Sequence, residues 1–172
     1  MIEKRATAGV TVNGRKLAGY IAKFDNPTHI GGFTEVIRRG AFAASLSAGR
    51  DILALADHDT SRVLGRTRSG TLTLAEDATG LAFALELPDT QAGRDLAALA
   101  ERGDLGGCSF AFTVPNGGDH WSGNTRELRS VDLDEVSIVQ SRPAYPDTEV
   151  HLRSLQPQAQ TALLRYWLET VK

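Results

Sequence analysis

The sequence predicts a mostly β fold with flanking helices, on three observations. Segments such as 70–74 and 81–87 alternate apolar and polar residues with the period of two that a half-buried strand requires. Seventeen glycines are spread along the chain, which implies many turns rather than a helical bundle. Helical spacing of apolar residues is confined to a short stretch near residue 43, a segment over 91–102, and the tail from 157 to 172.

The bulk composition limits what this fold can do. A chain of 172 residues is long enough for one domain with a real core and short for two. Hydrophobic residues make up 41% and charged residues 23%, proportions typical of a globular protein in water. Nineteen Lys and Arg stand against 21 Asp and Glu, a net charge of -2 that gives no electrostatic reason to expect a nucleic-acid partner. One cysteine permits no intrachain disulfide and fits a reducing compartment. No apolar run has membrane-spanning length, and the basic start at Lys4-Arg5 is not followed by the apolar segment of a secretory signal. These features predict a protein used inside a cell.

Taken in order, Val10-Thr11-Val12 and residues 17–22 read as a hairpin about Asn13-Gly14, a pair that tolerates positive φ. Residues 24–33 read as a loop, and Glu35-Val36-Ile37 as a brief strand. The short helix over 40–46 places Phe42 and Leu46 on one face. Residues 51–56 form a core strand that ends in Asp57-His58-Asp59, and Val63-Leu64-Gly65 resumes it. Segments 70–74 and 81–87 pair as a hairpin. Asp89 or Thr90 caps a helix over 91–102, and Gly103 ends it. Then comes Gly106-Gly107-Cys108-Ser109-Phe110-Ala111-Phe112, a strand with Cys108, Phe110 and Phe112 on one face and Ser109 and Ala111 on the other. Residues 115–125 read as a polar loop. Segments 127–133 and 135–139 read as strands parted by a bend or bulge near Asp134. Prolines 143 and 146 stiffen the backbone after the last strand, and the tail helix presents Leu163, Tyr166 and Trp167 on one side.

Candidate chemistry is sparse. The histidines are His29, His58, His120 and His151; with one cysteine and no close ligand pair, no metal site is expected. There is no phosphate loop, dinucleotide fingerprint or Gly-x-Ser-x-Gly elbow. Asp51, Asp57, Asp59, Asp132 and Asp134 read as solvated surface. A rigid strand preceded by glycines can aim Ser109 at a substrate, whereas a serine bonded only to its own backbone is the plainer reading. His58 lies at a strand end, as a base or as a turn histidine bonded to Asp57 or Asp59. Glu135 begins an apolar strand, as the partner that fixes a base or as an outward glutamate beside Ser137. Their spacing leaves these alternatives open.

An ordered set of motifs resembles the prohead (capsid maturation) proteases of HK97-type tailed phages. It comprises Gly19-Tyr20-Ile21-Ala22-Lys23-Phe24, Glu35-Val36-Ile37-Arg38-Arg39-Gly40-Ala41-Phe42, His58-Asp59 with Val63-Leu64-Gly65-Arg66, Ser69-Gly70-Thr71-Leu72, Gly80-Leu81 and Leu87-Pro88-Asp89-Thr90. It continues through Gly107-Cys108-Ser109-Phe110-Ala111-Phe112, Leu133-Asp134-Glu135-Val136-Ser137-Ile138-Val139 and Pro143-Ala144-Tyr145-Pro146-Asp147-Thr148. The resemblance implies a protease domain over 1–153, with 154–172 as linker and amphipathic helix. It implies a compact antiparallel β-barrel similar to the herpesvirus assemblin proteases, working as a homo-oligomer.

By the same resemblance Ser109 is the nucleophile, His58 the base and Glu135 the third member of a serine-endopeptidase triad, with Arg142 a candidate oxyanion contact. The sequence departs from the family pattern in having Cys108 where methionine is common, Ala111 where glycine is common, and Asp57 where asparagine is common. Asp57 is therefore a candidate tuning neighbour of the base. The implied work is cleavage of capsid and scaffold polypeptides inside the immature capsid, in the host cytoplasm, followed by self-cleavage. It needs no cofactor, nucleic acid or membrane. The competing readings are a catalytically silent procapsid or scaffold-binding protein, and a small-substrate serine esterase.

Overall fold

The computed structural model describes residues 3–7, 10–13 and 15–140. The predicted tail helix, Arg142 and His151 lie outside the described residues. In chain order the elements are β1 (Glu3–Thr7), β2 (Val10–Asn13), β3 (Lys16–Lys23), β4 (Thr28–Ile30), β5 (Phe33–Ile37), α1 (Ala43–Ser47), β6 (Leu53–Ala56), β7 (Asp59–Arg66) and β8 (Leu72–Glu76). They continue with β9 (Gly80–Glu86), α2 (Gln91–Arg102), β10 (Gly107–Thr113), β11 (Asp119–Ser122), β12 (Thr125–Leu128) and β13 (Asp132–Val139). The fold is mostly β, as predicted.

The expected antiparallel barrel needs correction. The described strands form three sheets, ordered β1-β10-β13-β6-β7, β11-β12-β5-β4 and β2-β3-β9-β8, and none closes on itself. Two pairs are parallel, β13 with β6 and β12 with β5. Parallel neighbours need a crossover, and the long connection from β6 to β13 supplies one that alternation within single strands cannot reveal.

One core lies where the sheets meet. Phe110 and Phe112 from β10 stack with ring centroids 5.3 Å apart, and Phe42 meets Phe110 edge-on at 5.7 Å. Leu17 and Ile21 of β3, Leu81 and Leu85 of β9, Val136 and Ile138 of β13, and Leu96 of α2 complete it. Each such side chain contributes about 1.5–3 kcal/mol by leaving water. Thr90 caps α2, its hydroxyl accepting from Gly93 N–H at 3.3 Å, and Gly103 ends it at φ 75°. The β8–β9 hairpin forms as predicted, with Leu72 opposite Leu85. Gly80 permits it to lie against β3, because a Cβ there would sit 2.0 Å from the Ala22 carbonyl oxygen.

Three strands depart from the sequence reading. β4 and β11 lie in segments with the composition of loops, and β1 lies before the first strand expected. The bend or bulge expected near Asp134 is a bulge, and it lies within continuous β13 rather than between two strands: Ala111 faces Glu135 and Phe112 faces Leu133, leaving Asp134 extra. The true gap between β12 and β13 falls at residues 129–131.

β1 owes its place to charge rather than apolar pattern. Arg5 donates to both oxygens of Glu35, at 2.5 and 2.7 Å, and to Glu3 at 2.8 Å. Arg126 donates to Glu3 at 2.6 and 2.9 Å and to Asp119 at 2.8 Å. Glu3, Arg5, Glu35 and Arg126 are all buried. This cluster ties β1, and through it the flank of β10, to the β11-β12-β5-β4 sheet.

Candidate active site

β10 sits between β1 and β13, and its alternation decides where Ser109 points. Cys108, Phe110 and Phe112 belong to the core, so Ser109 projects from the opposite face. On β13 the core takes Val136 and Ile138, which sends Glu135 and Ser137 to the same outer face. Ser109 lies opposite Ser137 and Ala111 opposite Glu135. Gly107, which opens β10, has φ 141°, a backbone region that side chains rarely adopt. Cys108, the thiol beside Ser109 on the strand, is ill placed to react on two counts: it faces the core, and burial pushes its thiol up to about 12.

His58 arrives from a different element. Ala56 pairs with Asp59, so Asp57 and His58 form a two-residue hairpin loop between β6 and β7. Their φ values are 52° and 61°, the positive pair of a type I′ turn built without glycine. Left-handed backbone costs such residues roughly 1–2 kcal/mol each. β13 holds the turn in place. Asp57 N–H donates to the Ile138 carbonyl at 3.0 Å, and His58 N–H donates to Ser137 Oγ at 3.1 Å. The Asp57 carboxylate accepts from Gln140 N–H at 2.8 Å, from the Gln140 side chain at 2.5 Å and from Arg62 at 3.2 Å.

The turn lays the imidazole between the two strand residues. His58 Nε2 is 2.7 Å from Ser109 Oγ, and His58 Nδ1 is 2.5 Å from Glu135 Oε1. An ionised carboxylate only accepts, so the proton of the neutral ring sits on Nδ1, and Nε2 is left to accept from the Ser109 hydroxyl. The second carboxylate oxygen, Glu135 Oε2, accepts from Ser137 Oγ at 2.7 Å. Ser109 is 4% exposed, whereas the His58 and Glu135 side chains keep 19% and 13%. The line is thus largely sheltered from water, with the imidazole at the rim.

Ser109 and Glu135, which lie 51 and 77 positions beyond His58 along the chain, therefore meet it in one hydrogen-bonded row. The alternative in which the ring bonds to Asp57 or Asp59 does not form: both ring nitrogens are engaged elsewhere, and Asp59 accepts from Ser61. Asp57, the candidate tuning neighbour, turns its carboxylate to Gln140 and Arg62. Arg142 lies outside the described residues. His29 contacts Thr34 at 3.3 Å, and His120 is exposed on β11. No group of His, Cys, Asp and Glu able to hold a metal occurs among the described residues. Two residues of the site, Ser137 and Gln140, are absent from the sequence-based candidates. Ser137 was within reach, since it lies two residues after Glu135 and alternation puts both on one face.

The family model for the caudovirus prohead serine protease matches residues 2–161. The chain belongs to this family. Among solved structures it is similar to the capsid assembly protease of bacteriophage T4, gp21, with a TM-score of 0.57, 10% identity, 81% of this chain covered and 96% of that one. At that identity the likeness speaks for the fold alone, and it spans nearly the whole of the T4 enzyme. No curated protein sequence matches the chain. Family membership makes the chain a serine protease of the prohead type. No helix among the described residues is long and apolar enough to cross a membrane.

Proposed function

We propose that this prohead protease cleaves capsid and scaffold polypeptides within the immature shell, with Ser109 as nucleophile, His58 as general base and Glu135 as the group that orients the base. The observation that carries the assignment is the unbroken row from Ser109 Oγ through the imidazole to Glu135, at 2.7 and 2.5 Å. A serine hydroxyl is a weak nucleophile until a base takes its proton, and a base must present its unprotonated nitrogen to do so. Glu135, by holding the proton on Nδ1, keeps Nε2 free for that task.

The cycle is ordinary acyl transfer. Ser109 Oγ attacks the scissile carbonyl carbon as its proton passes to His58 Nε2. The tetrahedral intermediate collapses, the C–N bond breaks, and the imidazolium gives that proton to the leaving amine. Water then attacks the ester with the same base, releasing the carboxyl product and restoring Ser109. The developing imidazolium is stabilised by Glu135. Backbone N–H groups near the site, with Arg142 as a further candidate, would meet the oxyanion. These steps balance with the substrate and water alone and call for no cofactor.

An extended polypeptide substrate suits a β protein, since backbone pairing reads a strand without demanding one side chain. The same reading places the enzyme inside the procapsid, in the host cytoplasm, as a homo-oligomer that finally cleaves itself. The test is the intact mass of capsid and scaffold proteins co-expressed with the wild-type enzyme or with Ser109→Ala. Discrete new masses with wild type alone support the proposal. Identical processing by the two proteins would remove Ser109 as nucleophile, and no processing by either would remove these substrates.

A further inference from the structure

We propose that Ser137 is a positioning residue of the catalytic site, the group that fixes both the His58 turn and the free oxygen of Glu135. The inference rests on the triad reading above and adds a fourth side chain to it. Ser137 is fully buried, at 0% exposure. Its hydroxyl has one proton and two lone pairs, and the structure determines how they are used. A backbone N–H can only donate, so the bond from His58 N–H takes a lone pair of Ser137 Oγ. The remaining partner, Glu135 Oε2 at 2.7 Å, therefore receives the hydroxyl proton.

The geometry closes a ring. His58 binds Glu135 through Nδ1, Glu135 binds Ser137 through its other oxygen, and Ser137 binds the backbone of His58. Each bond constrains a different freedom. The bond to Oε2 stops the carboxylate rotating away from the imidazole. The bond from His58 N–H holds a left-handed residue at φ 61°, where the backbone alone would prefer to relax. Losing Ser137 frees both ends of the His58–Glu135 pair at once.

The placement of protons also explains why two serines on neighbouring strands have different fates. Ser109 and Ser137 are directly opposed across β10 and β13. Ser109 Oγ faces the ring nitrogen that accepts a proton, whereas Ser137 has committed its only proton to a carboxylate. Ser137 is thus no competing nucleophile.

The test is a double-mutant cycle on full-length protein, with turnover of a capsid-protein substrate as readout. Ser137→Ala should lower kcat about 10- to 100-fold, the range seen when a reacting group loses its fixed orientation. KM should stay within about twofold, because Ser137 does not touch substrate. In a Glu135→Ala background the same substitution should cost less than about threefold, since most of what it positions is gone. A purely structural serine would cost equally in both backgrounds, and that result, or no loss in either, overturns the proposal. If Ser137→Ala does not fold, Ser137→Thr decides: it keeps the hydroxyl, so a folded threonine variant must retain most activity, and a folded but inactive one refutes the role. Ser109→Ala serves as the separate control, for activity surviving there would undo the triad reading, whereas a harmless Ser137→Ala beside a dead Ser109→Ala undoes only this inference.

Discussion

Replacing Glu135 with glutamine keeps the shape of the side chain and changes its charge and one hydrogen-bonding sign. In the wild type both oxygens accept, Oε1 from His58 Nδ1 and Oε2 from Ser137 Oγ. A glutamine has one accepting oxygen and one donating NH2. With the NH2 toward His58, the ring must present a bare Nδ1 and carry its proton on Nε2, the tautomer unable to take the Ser109 proton. With the NH2 toward Ser137, the serine oxygen receives donors from both His58 N–H and the amide, and its own proton loses its acceptor. Neither orientation satisfies the ring of bonds, and either removes the negative charge beside the developing imidazolium. The expected loss in kcat is about 10³- to 10⁴-fold, or roughly 4–5.5 kcal/mol of transition-state stabilisation. Single-turnover cleavage of capsid protein at saturating enzyme measures it, with circular dichroism to show that the fold is kept. A folded Glu135→Gln enzyme within tenfold of wild type would refute the reasoning.

Two further predictions concern charge. Arg126→Met leaves buried Glu3 without two of its hydrogen bonds and should destabilise the fold by about 3–5 kcal/mol in urea unfolding. By comparison, Arg38→Met, which breaks pairs to Asp25 and Glu127 at a half-exposed site, should shift the urea midpoint far less; equal shifts would contradict the distinction. Glu127, beside Arg38 and Arg129, is held down at about 2 against an ordinary 4.5. A depressed carboxyl stabilises the fold above its unfolded value and loses that contribution as the pH falls through its folded one. The melting-temperature gap between wild type and Glu127→Gln should therefore close between roughly pH 4.5 and 2, and a gap constant with pH would count against the ion pairs.

How much of the fold is legible in the sequence depends on where the information resides. The β8–β9 hairpin and α2 are local: alternation, a Thr90 cap and Gly103 specify them within a few residues, and they form as expected. β1 is invisible because its inward side chains are Glu3 and Arg5, which look like surface until Arg126 and Glu35 arrive from elsewhere in the chain. β11 resembles a loop because its residues carry no apolar alternation; Trp121 packs on Phe33 at 5.0 Å, and Arg126 beside it reaches into the buried cluster. The parallel β6–β13 pair, on which the site depends, is a long-range choice that no local pattern encodes.

The same division applies to the site. Spacing alone leaves Ser109, His58 and Glu135 as three separate residues with ordinary alternatives, and only the motif resemblance suggests their union. The turn that delivers His58 is half visible. Asp57-His58-Asp59 after a core strand marks a strand end, but Asp-His is an unusual filling for a type I′ turn. Its support comes from Ser137, 79 residues beyond His58, and from the neighbouring Ile138 and Gln140. The carboxylate of Asp57 serves the turn through Gln140 and Arg62.

The central assignment, a hydroxyl at residue 109 activated by the imidazole at residue 58, is tested most directly by covalent capture with a fluorophosphonate reagent and mass spectrometry of the digested protein. The predicted result is one adduct, on the peptide containing Ser109, formed by wild type and lost in His58→Ala while that variant remains folded. An adduct on another residue, or undiminished labelling of Ser109 without His58, would contradict it.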